Sequence, residues 1–263
     1  MRVTFLGTGS AMPTGERFQT GLLVSADDRN LLVDCGSGAL HGLARTDVGY
    51  EGVDAVLLTH HHLDHVSDLV PLLKARWLAG AEDGAFTIAG PPGTRDLLDG
   101  LFAVHAYLQD RLDLAVREVD PGAFSLSGFD VRAMETRHSM YCLAYRFAGN
   151  EGGAHAGGGR GGPGPGGDFT FSGDSEAFEG LAEFADGSAV LAHDCSFPDD
   201  VDVSNHPTPS QLGAVLSGHT FGTVYLTHLY PHTLGREDEM VASVREHYGG
   251  DVRVANDGLT VEL

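Results

Sequence analysis

Chemistry concentrates first in the run Thr59-His-His-His-Leu-Asp-His65, where His60, His62, Asp64 and His65 fall within six positions. Imidazole and carboxylate are the side chains that hold zinc and similar borderline metals. Four such groups so close together cannot all surround one ion with good geometry, so the run points to two ions side by side. The apolar stretch Ala55-Val-Leu-Leu-Thr59 precedes it and reads as a strand, and open α/β sheets place their sites at strand ends. Three further candidates stand in similar places. They are His138 in Thr136-Arg-His-Ser-Met-Tyr141, Asp174 in Phe171-Ser-Gly-Asp-Ser175, and His228 directly after Thr223–Thr227.

Bringing these positions together needs a sheet-based scaffold, and the chain reads as one. Apolar runs bounded by Gly, Pro and Asp alternate with longer helix-like segments, which is the α/β pattern. Strands are expected at Val3–Leu6, Gly21–Ser25, Asn30–Val33, Ala55–Thr59, Phe86–Ala89, Ala115–Val119, Asp130–Glu135 and Cys142–Phe147. Others follow at Asp168–Ser172, Ala189–Ala192, Thr223–Thr227, Arg253–Ala255 and Leu259–Glu262. Helices are expected at Ser67–Leu78, Thr94–Val104, Ser175–Glu183, Pro209–Ser217 and Arg236–Tyr248, with Ser67 and Ser175 as N-caps and Gly80 as a stop. Between Gly149 and Gly167, 11 of 19 residues are glycine, too few apolar groups to pack. A flexible loop is expected there, from which His155 and Arg160 could reach a substrate. Val56-Leu-Leu-Thr-His60 and Val224-Tyr-Leu-Thr-His228 share one design, with Ala189-Val-Leu-Ala-His193 a looser third copy. The echo hints at two similar halves facing a shared site.

At 263 residues, 42% of them hydrophobic, a sizeable core can form within a single domain. No segment approaches the roughly 18 unbroken apolar residues of a membrane span. Met1–Leu6 reads as a strand and not as a signal peptide, so a cytoplasmic location is expected. Cys35, Cys142 and Cys195 follow no C-x-x-C spacing and fit a reduced interior. The formal charge is −21, and of 16 basic residues only Lys74 is a lysine. So acidic a surface resembles those of proteins from salt-loving cells, and it disfavours sequence-independent attraction to nucleic acid.

The pattern His60-x-His62-x-Asp64-His65, then His138, Asp174 and His228, resembles the metallo-β-lactamase superfamily essentially end to end. The opening Phe5-Leu-Gly-Thr-Gly-Ser-Ala-Met-Pro-Thr14 and Leu32-Val-Asp-Cys-Gly36 belong to the same resemblance, and that opening, with Arg17 soon after, looks like ribonuclease Z and its phosphodiesterase relatives more than lactamases or glyoxalases. The superfamily resemblance implies a four-layered αβ/βα sandwich. It also implies one ion on His60, His62 and His138, a second on Asp64, His65 and His228, and Asp174 bridging them. Zinc suits the nitrogen-rich donors, with manganese or iron also compatible. In such a site a bridging hydroxide attacks, its pKa lowered from 15.7 toward roughly 7, and Asp64 both ligates and orients it.

Within the superfamily, His193-Asp-Cys-Ser196 and His206-Pro-Thr208 are similar to the ribonuclease Z motifs His-Glu-Ala-Thr and His-Ser-Thr. The resemblance implies a phosphodiesterase in which Asp194 orients His206 and His206 protonates the departing alkoxide. Two features depart from the family pattern. Asp194 replaces glutamate, and only 35 residues separate His138 from Asp174, where ribonuclease Z carries its tRNA-gripping arm. The motif order leans toward the tRNA 3′ end as substrate. The short arm and acidic surface lean toward a small or cyclic phosphodiester. A lactone or thioester hydrolase using the same metals is the alternative. Relatives of this kind are often homodimers.

Overall fold

Strands whose residues are apolar on successive positions can be buried on both faces only when something covers each side. Leu22 and Val24 share one core cluster while Leu23 belongs to another, and the same alternation separates Ala55 and Leu57 from Val56. In the second half Val190 and Ala192 face one way and Leu191 the other. Each sheet is therefore packed on both sides. A computed structural model describes residues 1–81, 84–149 and 167–263.

The strands are β1 (Arg2–Gly7), β2 (Gly21–Ala26), β3 (Arg29–Val33), β4 (Ala55–Leu57), β5 (Phe86–Gly90), β6 (Leu114–Glu118) and β7 (Gly122–Leu126). The rest are β8 (Phe129–Glu135), β9 (Leu143–Phe147), β10 (Phe169–Phe171), β11 (Val190–Asp194), β12 (Thr223–Thr227), β13 (Asp251–Val254) and β14 (Thr260–Glu262). Helices are α1 (Ala39–Leu43), α2 (Leu63–Val66), α3 (Leu69–Ala79), α4 (Thr94–Val104), α5 (Glu179–Ala185), α6 (Pro209–Leu216) and α7 (Glu237–Arg245). Two seven-stranded sheets form, in the orders β14-β1-β2-β3-β4-β5-β6 and β13-β12-β11-β10-β9-β8-β7. A central core joins them, with Phe5, Val24 and Leu57 of one sheet in the same cluster as Tyr145, Phe169 and Tyr225 of the other. Leucines of α3 and α4 cover the first sheet, and residues of α5, α6 and α7 cover the second. The result is the αβ/βα sandwich.

Strand direction decides where the chemistry sits. β3, β4, β5 and β6 run parallel, as do β10, β11, β12 and β13, and β8 shares the direction of β10 because β9 is antiparallel to both. Asp34, His60, His138, Asp174 and His228 all follow C-terminal ends of these strands, and Asp194 terminates one. The sheets are stitched at this rim: Tyr145 Oη donates to the Leu58 carbonyl at 2.7 Å, and the Leu143 amide donates to the Thr59 carbonyl at 3.0 Å.

Several sequence expectations shift. Ser67 is not the N-cap of the long helix; it closes the short α2, and Asp68 precedes α3. Asp68 is held there because its carboxylate accepts the amides of Gly38 and Leu40 at the start of α1. Ser175 is likewise no N-cap: α5 begins at Glu179, and the buried Ser175 amide donates to Asp194 instead. Gly80 does end its helix in the left-handed region, at φ 72°. Strand β7 and helices α1 and α2 fall outside the sequence expectations; the two helices, at five and four residues, are too short for periodicity to register. Nearly all of the expected loop at 149–167, with His155 and Arg160, lies outside the described residues. Among the described residues no helix is long and apolar enough to cross a membrane.

Candidate metal centre

Asp34, at the tip of β3, organises the first half of the site. It adopts φ 59°, a left-handed conformation uncommon outside glycine. Its Oδ1 accepts the Thr59 amide at 2.7 Å, while Oδ2 accepts the Thr59 hydroxyl at 2.8 Å and His65 Nδ1–H at 2.7 Å. Having given its proton to Asp34, the Thr59 oxygen accepts Nδ1–H of His60 at 3.0 Å. The Nδ1 proton of both rings is thereby fixed, and Nε2 is the atom that each turns to the site. His138 reaches the same state another way, donating Nδ1–H to the carbonyl of Asn205 at 3.2 Å.

These nitrogens converge. His62 Nδ1 lies 3.0 Å from His60 Nε2 and 3.1 Å from His138 Nε2, and Asp174 Oδ2 is 3.7 Å from each of those two Nε2 atoms. On the other side His228 Nε2 is 3.2 Å from Asp64 Oδ2 and 3.3 Å from Asp174 Oδ2. His65 Nε2 is 3.2 Å from Asp174 Oδ1 and 3.8 Å from Asp64 Oδ2. Donors about 2.05 Å from a tetrahedral zinc are separated from one another by about 3.3 Å. These distances scatter around that value in two groups that share Asp174.

Two buried atoms decide whether the donor set suits a cation. His65 Nε2 and Asp174 Oδ1 are buried with no hydrogen-bond partner, though only 3.2 Å apart. Buried polar atoms are almost always partnered, and a pair of orphans facing each other is what a shared ion would satisfy. The charge states agree for three of the rings; on His65 burial is outweighed by Asp174 and Asp34, which hold it well above the ordinary histidine range. Burial, reinforced by the neighbouring His65 ring, holds His60 well below the ordinary histidine range, and burial lowers His62 and His138 as well. All three are therefore neutral and able to offer lone pairs. Burial opposes the charge on Asp174, but His228, His65 and His60 outweigh it and keep the carboxyl well below its usual range.

All seven expected donors thus gather in two adjoining groups, with His60, Asp64, His65, Asp174 and His228 buried. His61, the remaining histidine of the run, turns away and donates Nε2–H to the Thr94 hydroxyl at 2.9 Å. His193 is also outside the cluster: on β11 it shares the face of Leu191, toward the helices, while Asp194 takes the opposite face. Asp194 Oδ2 accepts His206 Nδ1–H at 2.7 Å. The His206 ring lies parallel to that of His228, with centroids 5.3 Å apart. Burial resists charge on His206, yet Asp194, with Asp174 and Asp64 beyond it, raises its pKa to about 9. Arg17 is occupied structurally, bonding Thr8, the Ala255 carbonyl and Asn256.

Asp34, Thr59, Ser196 and Asn205 carry positioning duties that sequence reasoning did not assign. Asp34 left one trace, a carboxylate closing an apolar strand run. Asn205 and His228 join it in the left-handed region, at φ 67° and 58°.

A donor set of this kind on the rim of an αβ/βα sandwich defines a metal-dependent hydrolase of the metallo-β-lactamase superfamily. The metallo-β-lactamase fold protein YhfI of Bacillus subtilis superposes with a TM-score of 0.83 at 23% identity, covering 100% of this chain and 99% of that one. The short form of human tRNase Z gives 0.76 at 20%, covering 100% and 99%. A family profile described as anti-Pycsar protein Apyc1 matches residues 1–83. Ribonuclease Z of Halorubrum lacusprofundi is 30% identical over 307 aligned positions, covering 100% of this chain and 97% of its own. The chain belongs to the ribonuclease Z family, and it is a metal-dependent phosphodiesterase.

Proposed function

We propose that the chain is a single-domain phosphodiesterase with two divalent ions, zinc by the nitrogen-rich character of the donors. His60, His62 and His138 hold one ion, Asp64, His65 and His228 the other, and Asp174 both. Bound there, the ions supply an acidified water and positive charge for the phosphate oxygens. The chain's own groups do the rest. Asp64 orients the attacking water, Asp194 holds Nδ1 of His206, and Nε2 of His206 carries the proton that the departing alkoxide needs. The observation carrying this reading is the 2.7 Å Asp194–His206 pair, set beside the donors with Asp194 fully buried. Lactone or thioester cleavage makes little demand on such an acid. The central core common to both sheets supports a single domain, and three free buried cysteines support a reducing, cytoplasmic setting.

For the substrate we favour small or cyclic phosphodiesters. The net charge of −21 repels a polyanion. The alignment to the Halorubrum relative spans 307 positions against 263 residues here, so that protein carries stretches this chain lacks. The name of that relative favours the second reading, the tRNA 3′ end. Turnover of bis(p-nitrophenyl) phosphate and of pre-tRNA, both at high salt, separates them; cleavage of pre-tRNA alone would overturn the preference. His206→Ala tests the acid. Cleavage of a diester with an alkoxide leaving group should fall about 10²–10⁴-fold. The p-nitrophenyl ester, whose leaving group needs no proton, should lose far less, and metal content should hold. Equal losses on both substrates would remove His206 from the role.

A further inference from the structure

Asp194 serves more than His206. Ser196, two residues on and fully buried, places its Oγ 2.6 Å from Asp194 Oδ1, 2.9 Å from His228 Nδ1, 2.9 Å from the His228 carbonyl and 3.3 Å from His206 Nδ1. A serine hydroxyl has one proton and two lone pairs to share among these four. The short contact to an anionic oxygen takes the proton. The oxygen is then an acceptor toward His228, so Nδ1 of that ring must carry the hydrogen. Nε2 is left bare, 3.2 Å from Asp64 and 3.3 Å from Asp174.

The other half of the site uses the same device. There Asp34 binds His65 directly and His60 through the Thr59 hydroxyl; here Asp194 binds His206 directly and His228 through Ser196. The resemblance is one of chemistry and not of sequence position. Thr227, the counterpart of Thr59 in the repeated Leu-Thr-His, contributes its backbone carbonyl to the Cys195 amide, and the hydroxyl comes from the β11 loop instead.

We propose that Ser196 is a positioning residue that fixes the Nδ1–H tautomer of His228 and so governs retention of the ion held by Asp64, His65 and His228. The inference rests on the ligand assignment proposed above, and its readout is metal binding, which is measurable whether or not the protein cleaves phosphodiesters. Without the hydroxyl nothing holds the hydrogen on Nδ1, and the ring can take its other tautomer, whose Nε2–H faces Asp64 and Asp174 and offers a cation no lone pair.

Zinc affinity, measured by competition with a chromophoric chelator, tests this on wild type, Ser196→Ala, Ser196→Cys, Ser196→Thr and His206→Ala. Ser196→Ala should weaken one of the two zinc sites about 10–100-fold and leave the other unchanged. Ser196→Cys, with a poor acceptor, should follow it, and serves alone if the alanine variant does not fold. Ser196→Thr should restore the lost affinity, and His206→Ala should leave both sites at wild-type strength. Two unaltered sites in the alanine or cysteine variant would overturn the proposal. Equal weakening of both sites, or failure of threonine to restore the weakened one, would overturn it too. Two zinc ions bound as expected but no phosphodiesterase activity would defeat the functional reading and leave this inference standing.

Discussion

Exchanging one oxygen of Asp34 for nitrogen should disarm both halves of the donor set at once. In Asp34→Asn the amide can keep its oxygen on the Thr59 N–H, but the group replacing Oδ2 donates where the carboxylate accepted. Two hydrogens now face it, from His65 Nδ1 at 2.7 Å and from the Thr59 hydroxyl at 2.8 Å. Relief requires His65 to move its proton to Nε2 and Thr59 to turn its hydroxyl toward His60, 3.0 Å away. His60 must then carry its proton on Nε2 as well. Each ligand histidine loses the support that fixes its tautomer, a change that typically costs about 10–100-fold in metal affinity, or about 1.4–2.8 kcal/mol per ring. Because His60 and His65 serve different ions, both sites should weaken, each by that factor. Zinc titration against a chelator reads the two affinities separately, and circular dichroism of the metal-free variant checks that it folds. Loss at the His65 site alone would refute the relay through Thr59. Wild-type affinity at both sites would refute the tautomer argument altogether.

Three other expectations follow from the geometry. In metal-free protein the His206 pKa is raised above its unfolded value, to about 9, so its stabilisation is complete below about 6.5 and disappears as pH rises through 9. Urea unfolding of chelated protein should therefore show wild type ahead of His206→Gln by up to about 3 kcal/mol at pH 6 and level with it at pH 10; a constant difference would contradict this. At Gly36 an added Cβ would sit 2.0 Å from the Asp64 carbonyl oxygen. Gly36→Ala should push α2 off β3, lowering the melting temperature and zinc affinity together, and an unchanged melt would show that α2 yields freely. Removing metal with a chelator should abolish activity and lower stability by about 2.7 kcal/mol for each of the two ions relative to protein at zinc one hundred times its Kd, with recovery on re-addition of zinc. Activity that survives complete stripping would exclude the metal chemistry.

Much of this architecture was legible because the relevant signals are local. The strand at Ala55 and the histidines after it are adjacent in sequence, and the unbroken apolar run Leu22-Leu-Val24 marks a strand covered on both sides. His138, Asp174 and His228 could be nominated singly from their positions at strand ends, but only the resemblance joined them into one set. The hydrogen-bonded supports were not legible. Asp34 and Thr59 are 25 residues apart, and Ser196 and His228 are 32 apart, so their pairing depends on strand order and on left-handed turns that no periodicity announces. Ser67 and Ser175 misled for a related reason. Their hydroxyls and amides serve neighbouring elements, and a helix start cannot be read from residue type when tertiary contacts compete for the cap.

The rim where Tyr145 and Leu143 cross to Leu58 and Thr59 is a seam, and the donors straddle it. Four come from the amino-terminal half and three from the carboxy-terminal half, and Asp174 faces rings rooted on either side. A cation seated there works as a clasp: prising the halves apart must break coordinate bonds before it can open the apolar filling behind them. Resistance to mechanical or chemical separation in this molecule is therefore set at its working end, and metal supply tunes durability along with turnover.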